Sequence, residues 1–117
     1  MSTTTRRMLA LAIAAGALGA GAPLAANPYP TPVIADYVFG CMAANGQTQE
    51  VLQRCSCSID VIASILPYDR YEQAETILRL RQVPGGERIA IFRDTAWARE
   101  AVADLKQAQV EGEVRCF

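Results

Sequence analysis

The sequence contains no histidine. That removes the commonest general base and the commonest metal ligand. It rules out a Ser-His-Asp triad and a haem attached through Cys-x-x-Cys-His. Lysine is almost missing too: of 11 basic residues against 12 acidic ones, only Lys106 is not arginine. A chain so close to neutral, with no basic cluster, lacks the electrostatic footprint of a nucleic-acid-binding protein. There is no Gly-rich phosphate loop ending in Lys-Ser/Thr, no calcium loop of the Asp-x-Asp-x-Asp-Gly type and no Gly-x-Ser-x-Gly elbow. Pro84-Gly85-Gly86-Glu87-Arg88 reads instead as a turn between helices. No segment alternates apolar and polar residues as a strand does, and none repeats. These absences point away from catalysis, and no cofactor, metal ion or catalytic residue is expected.

The 117 residues allow one small domain. Arg6 and Arg7 precede an uncharged run of Ala, Gly and Leu that ends in small residues, the pattern of a secretory signal peptide. Its strongly apolar residues are few for a membrane anchor, and Asn27-Pro28-Tyr29-Pro30 breaks any helix after it. Cleavage after Ala26 divides the chain into a signal peptide at 1–26, an extended and exposed Pro-rich leader at 27–32, and a helical domain at 33–117. A Sec and a twin-arginine route fit Arg6-Arg7 equally. The product is expected in the periplasm or outside the cell, without a membrane span.

Helical spacing organises the rest. Thr31 and Pro32 suit an N-cap and first helical position, and Ile34, Val38 and Cys41 continue the pattern until Asn45-Gly46. Thr48 caps a second helix whose apolar stripe is Leu52, Cys55, Ile59, Ile62 and Leu66, stopped by Pro67. A third helix over 69–82 places Tyr71, Ala74, Glu75, Leu78 and Gln82 on one side, with Ile77 adjoining. Ile89, Ala90, Ile91 and Phe92 form a helical turn or a separate short helix. A long helix over 94–110 carries Ala98, Val102, Leu105 and Gln109, with Gly112 expected to end it and 113–117 to form a tail. The expected fold class is all-α: a small bundle of about four helices. Trp97 and Tyr71 are expected to fill the core, with an aromatic contact patch of Tyr68, Tyr71 and Trp97 as the alternative. Arg88, Arg93 and Arg99 are expected to form an ion-pair network with Glu87, Asp94 and Glu100.

Four cysteines, Cys41, Cys55, Cys57 and Cys116, lie beyond the signal peptide. An even count in a small exported chain reads as a disulfide framework. Cys55 and Cys57 are two residues apart in one helix, so about 200° of rotation points their thiols to opposite sides and disfavours a bond between them. Cys41 and Cys55 belong to facing stripes, so Cys41–Cys55 with Cys57–Cys116 is the expected pairing. The crossed pairing, Cys41–Cys57 with Cys55–Cys116, stays open, because a one-residue shift of helix phase exchanges the two. Two such bonds add on the order of 2–4 kcal/mol each to a domain too small to be secure on burial alone. A redox pair or soft-metal site built on Cys55 and Cys57 is the competing reading.

From Cys41 to Phe117 the chain carries Cys55-Ser56-Cys57-Ser58-Ile59-Asp60, Pro67-Tyr68-Asp69-Arg70-Tyr71, Gly86-Glu87-Arg88 and Phe92-Arg93-Asp94. Through these elements it resembles a group of small exported bacterial four-cysteine helical proteins of unknown activity. The resemblance implies association with periplasmic quinoprotein alcohol-oxidation systems and carries no catalytic residue. The expected function is that of a non-enzymatic periplasmic accessory or binding protein presenting a rigid helical surface to a protein partner. Asp69, Arg70, Glu87, Arg88, Arg93 and Asp94 are the candidate surface. The alternatives are a thiol–disulfide or soft-metal-handling protein using Cys55 and Cys57, and a small-ligand carrier.

Overall fold

Three local signals divide the chain into its first helices. Gly46 adopts a positive φ of 112°, which other residues reach only at a cost, and its N–H bonds to the Met42 carbonyl at 2.8 Å. Thr48 then accepts the Val51 N–H on its side chain at 3.2 Å, with Glu50 in the first turn where the helix dipole favours a negative charge. Pro67 cannot continue the helix that reaches it, and its carbonyl starts the next by accepting the N–H groups of Arg70 and Tyr71. In the computed structural model these breaks separate α1 (Thr31–Asn45), α2 (Gln49–Ile65) and α3 (Tyr68–Gln82), followed by α4 (Glu87–Asp94) and α5 (Ala96–Cys116). Residues 26–117 are described, without the side chains of Glu87, Arg88, Ile91 and Phe92. The expected signal peptide lies outside the described residues except for Ala26.

The fold class is the expected all-α bundle, with no strand among the described residues. The short apolar run after the Gly-Gly turn is a helix of its own, α4. The core is a sandwich of α2, α3 and α5. Ile59 and Ile62 of α2 and Leu105 of α5 are wholly buried, each worth roughly 1.5–3 kcal/mol of transfer free energy. Tyr71, Ala74 and Ile77 face them from α3. On α5 the buried face is mostly small: Ala98, Ala101, Val102, Leu105, Ala108 and Gly112. Small side chains let α5 lie close against α2, and this is the most extensive helix pair. Helix α1 buries no residue fully. It packs against the core through the partly buried Val33, Ile34, Tyr37 and Val38.

Several expectations change. The leader is docked through Asn27 and Tyr29 while its prolines stay exposed, and its last two residues, Thr31 and Pro32, belong to α1. Tyr29 is buried between the rings of Tyr68 and Tyr71, with centroids at 5.4 and 4.9 Å, and its hydroxyl donates to the Leu66 carbonyl at 2.5 Å. Asn27 holds the segment to α2 by donating to Asp60 Oδ1 at 2.8 Å, while its own Oδ1 accepts the Tyr29 N–H. Burial, with Asp69 adding to it, pushes the Tyr29 phenol up to about 12 and keeps it a neutral donor. Helix α1 starts one residue early, with Pro30 in the capping position and Thr31 already helical. On α3, Ile77 is buried and Leu78 only partly so, and Gln82 is exposed.

Gly112 does not end the last helix. It is buried inside α5, where a Cβ would lie 2.5 Å from Ser58 Oγ and 3.1 Å from the Ser58 carbonyl oxygen. The residue is glycine because α2 and α5 nearly touch there, and the helix runs on to Cys116. Trp97 is 48% exposed while Tyr71 fills the core, so only half of that expectation holds. Trp97 sits one residue before Ala98, roughly 100° around the helix from the buried stripe. Thr95 caps this helix by accepting the Ala98 N–H at 3.3 Å.

Candidate functional site

The cysteines form Cys41–Cys55 and Cys57–Cys116, with Cα–Cα distances of 5.9 and 5.8 Å. The side chains of Cys55 and Cys57 leave α2 in different directions, one to α1 and the other to the last turn of α5. Cys55-Ser56-Cys57 is therefore two separate fasteners and not a dithiol. Cys55 is completely buried, whereas Cys57 is on the surface.

The surface chosen from the sequence falls into two groups. Asp69 and Arg70 lie at the start of α3, where Arg70 Nη2 meets Asp104 Oδ2 at 2.6 Å and ties α3 to α5. Arg93 and Asp94 end α4, beside the far end of α3, where Arg81 Nη2 donates to the Arg93 carbonyl at 3.2 Å. Arg70 and Arg81 are eleven residues apart on one helix, roughly 17 Å. The side chains of Glu87 and Arg88 lie outside the described residues. The expected ion-pair network does not form among the described side chains. Arg99 Nη1 donates to the Asp94 carbonyl at 2.8 Å, so Arg81 and Arg99 both satisfy carbonyls at the end of α4. Free carbonyls at a helix end carry partial negative charge and compete well with mobile carboxylates for a guanidinium.

Between those two groups lies a feature that the sequence does not place, although Trp97 belongs to the alternative aromatic patch. An open cleft of about 540 Å³ runs along α3, lined by Ile77, Leu80, Ile89 and Trp97, with Glu72, Gln73 and Thr76 at its edge. Four apolar side chains from three helices converge there, and the largest is half in water. The spacing of Gln73, Thr76, Ile77 and Leu80 on α3 places them along one side, but nothing in the sequence says that α4 and α5 bring Ile89 and Trp97 against it.

A second, polar groove separates α1 from α3 and α5. Its two arms, about 380 and 660 Å³, share Asp36, Tyr71 and Glu75. Tyr37 and Ser58 are hydrogen-bonded along it at 2.9 Å. Burial holds the Glu75 carboxyl above the usual range. Arg79 opposes that shift and Asp36 reinforces it. The Arg79–Asp36 pair, 3.8 Å apart with both side chains mostly in water, contributes little. A carboxyl whose folded pKa is raised stabilises the fold below its unfolded value, and that contribution is lost as pH rises through the folded one. Glu75→Gln should therefore raise the melting temperature near neutral pH and leave it unchanged below the carboxylate range. An equal effect at both pH values in thermal unfolding would contradict this.

No helix among the described residues is long and apolar enough to cross a membrane. Compared with protein-family models, with curated proteins and with solved structures, the chain matches none.

Proposed function

We propose that this protein is a non-enzymatic accessory protein of an oxidising compartment, periplasmic or secreted, that binds a protein partner through the cleft along α3. The carrying observation is the half-exposed Trp97 set among Ile77, Leu80 and Ile89 on a scaffold braced by two disulfides. Tryptophan at the centre of an apolar patch is the residue type that most often dominates a protein interface. Disulfide use fits export, and so does the signal-like start of the sequence. The resemblance noted from the sequence adds periplasmic alcohol oxidation as the setting. The charged groups at the two ends of α3 become the rim of this surface and not its centre.

A photo-activated cross-linking residue at position 80 tests this reading in the cells that make the protein, with the same residue at position 106 as the control on the far part of α5. The expected result is one cross-linked protein from position 80, none from position 106, and loss of the product when Trp97→Glu is added. Equal cross-linking from both positions, or a product indifferent to Trp97→Glu, overturns it. Identifying the captured chain as a component of an alcohol-oxidation system, or as something unrelated, decides the setting.

A further inference from the structure

We infer that the cleft receives an amphipathic helix of the partner, laid along α3 with its N-terminal end at Glu72 and its C-terminal end at Arg81 and Arg93. This rests on the docking reading above and names the occupant. The wall formed by α3 runs from Glu72 and Gln73 through Thr76 and Ile77 to Leu80, about two helical turns or roughly 12 Å. That length matches apolar anchors at i, i+4 and i+7 of a helix lying in a groove. Strand addition has no sheet edge to join among the described residues. A small apolar ligand is normally enclosed over most of its surface, and a cleft that leaves Trp97 half in water does not enclose one.

Charge gives the direction. Glu72 lines one end of the cleft, and Glu100, one turn after Trp97 on α5, lies near Arg70 at the start of α3 and so toward that same end. Arg81 and Arg93 stand together at the other end. The N-terminus of a helix carries partial positive charge and unpaired N–H groups. Its C-terminus carries partial negative charge and unpaired carbonyls. Two buried polar atoms that have no hydrogen-bond partner among the described residues follow the same order. Gln73 Oε1, at the acidic end, is an acceptor in need of a donor, and Arg93 Nε, at the basic end, is a donor in need of an acceptor. A rotamer change at either residue on docking lets a helix terminus supply what each lacks.

The test is a selection from a displayed library of helix-stabilised peptides against the purified full chain, followed by titration of the enriched peptides. Trp97 is the only tryptophan of the chain, so its emission reports directly on the cleft. Enriched sequences should carry apolar residues at i, i+4 and i+7, basic residues toward their N-terminus and acidic residues toward their C-terminus. They should shift Trp97 emission to the blue, and exchanging their end charges should weaken binding about tenfold. Glu72→Lys should erase that preference. Enriched peptides without helical periodicity, equal binding of both charge orders, or unmoved Trp97 emission each overturn the inference. So does a blue shift given by the apolar dye ANS and by no peptide, which marks a small-ligand carrier. A Trp97-dependent cross-link in cells that maps to a non-helical segment of the partner overturns the helix and leaves the docking reading standing. Absence of any such cross-link removes the docking reading itself.

Discussion

Replacing Cys57 and Cys116 together by serine should lower the stability of the protein by about 4 kcal/mol, more than the loss of the other disulfide. The Cys57–Cys116 bond closes a span of 59 residues, against 14 for Cys41–Cys55. A longer ring removes more freedom from the unfolded chain, and the same entropy argument gives about 3 kcal/mol for the shorter one. Cys57 is exposed, so a serine hydroxyl there meets water. Cys55 is fully buried, so alanine is the appropriate replacement in the comparison pair. A domain of this size has roughly 5–15 kcal/mol in hand, and 1 kcal/mol moves its midpoint by roughly 4–8 °C. The Cys57/Cys116 variant should melt at least about 15 °C lower, as followed by circular dichroism. An equal or smaller drop than in the Cys41/Cys55 variant would show that the long ring is not what holds α5 to α2.

Gly112→Val should cost about 2–3 kcal/mol, although it replaces the poorest helix former except proline. Removing glycine from a helix interior gains roughly 0.5–1 kcal/mol by itself. Against that, the new Cβ falls 2.5 Å from Ser58 Oγ and 3.1 Å from the Ser58 carbonyl oxygen. The hydroxyl can turn aside only by leaving Tyr37, to which it is bonded at 2.9 Å, and the carbonyl belongs to the α2 backbone and cannot turn. Gly112→Ala should cost less, about 1 kcal/mol, and Ser58→Ala should recover part of that loss in a double-mutant cycle. A neutral or stabilising Gly112→Val in urea unfolding would mean that α2 and α5 are not in close contact here.

Glycine at 112 also shows where sequence reading stopped. Read locally, Gly112 is a helix end, because its intrinsic penalty of about 1 kcal/mol argues against continuation. The contact with Ser58 and the disulfide at Cys116 outweigh that penalty, and both depend on a residue more than fifty positions away. The α2 stripe was legible because Cys55, Ile59, Ile62 and Leu66 face one compact core. The same helix argued against a Cys55–Cys57 bond, since two residues of rotation separate them, but left open the crossed pairing, which the facing of α1 and α5 decides. Three prolines in six residues suggested an extended leader over 27–32, but its last two residues open α1, and composition cannot show that Tyr29 finds a slot between Tyr68 and Tyr71. Among the described side chains the Arg–carboxylate network is absent, because proximity in sequence omitted the helix-end carbonyl of Asp94 that Arg99 occupies. The cleft along α3 was invisible for the reason that makes it a cleft: its walls come from three helices whose angles no periodicity encodes.

The unequal ring sizes set a timetable for synthesis. Cys41, Cys55 and Cys57 emerge within seventeen residues of one another, while the proper mate of Cys57 follows 59 residues later. For a chain threaded N-terminus first into an oxidising compartment, Cys57 meets oxidant before Cys116 arrives. Winding of α2 turns Cys57 away from Cys41 and so disfavours a mistaken first bond between them.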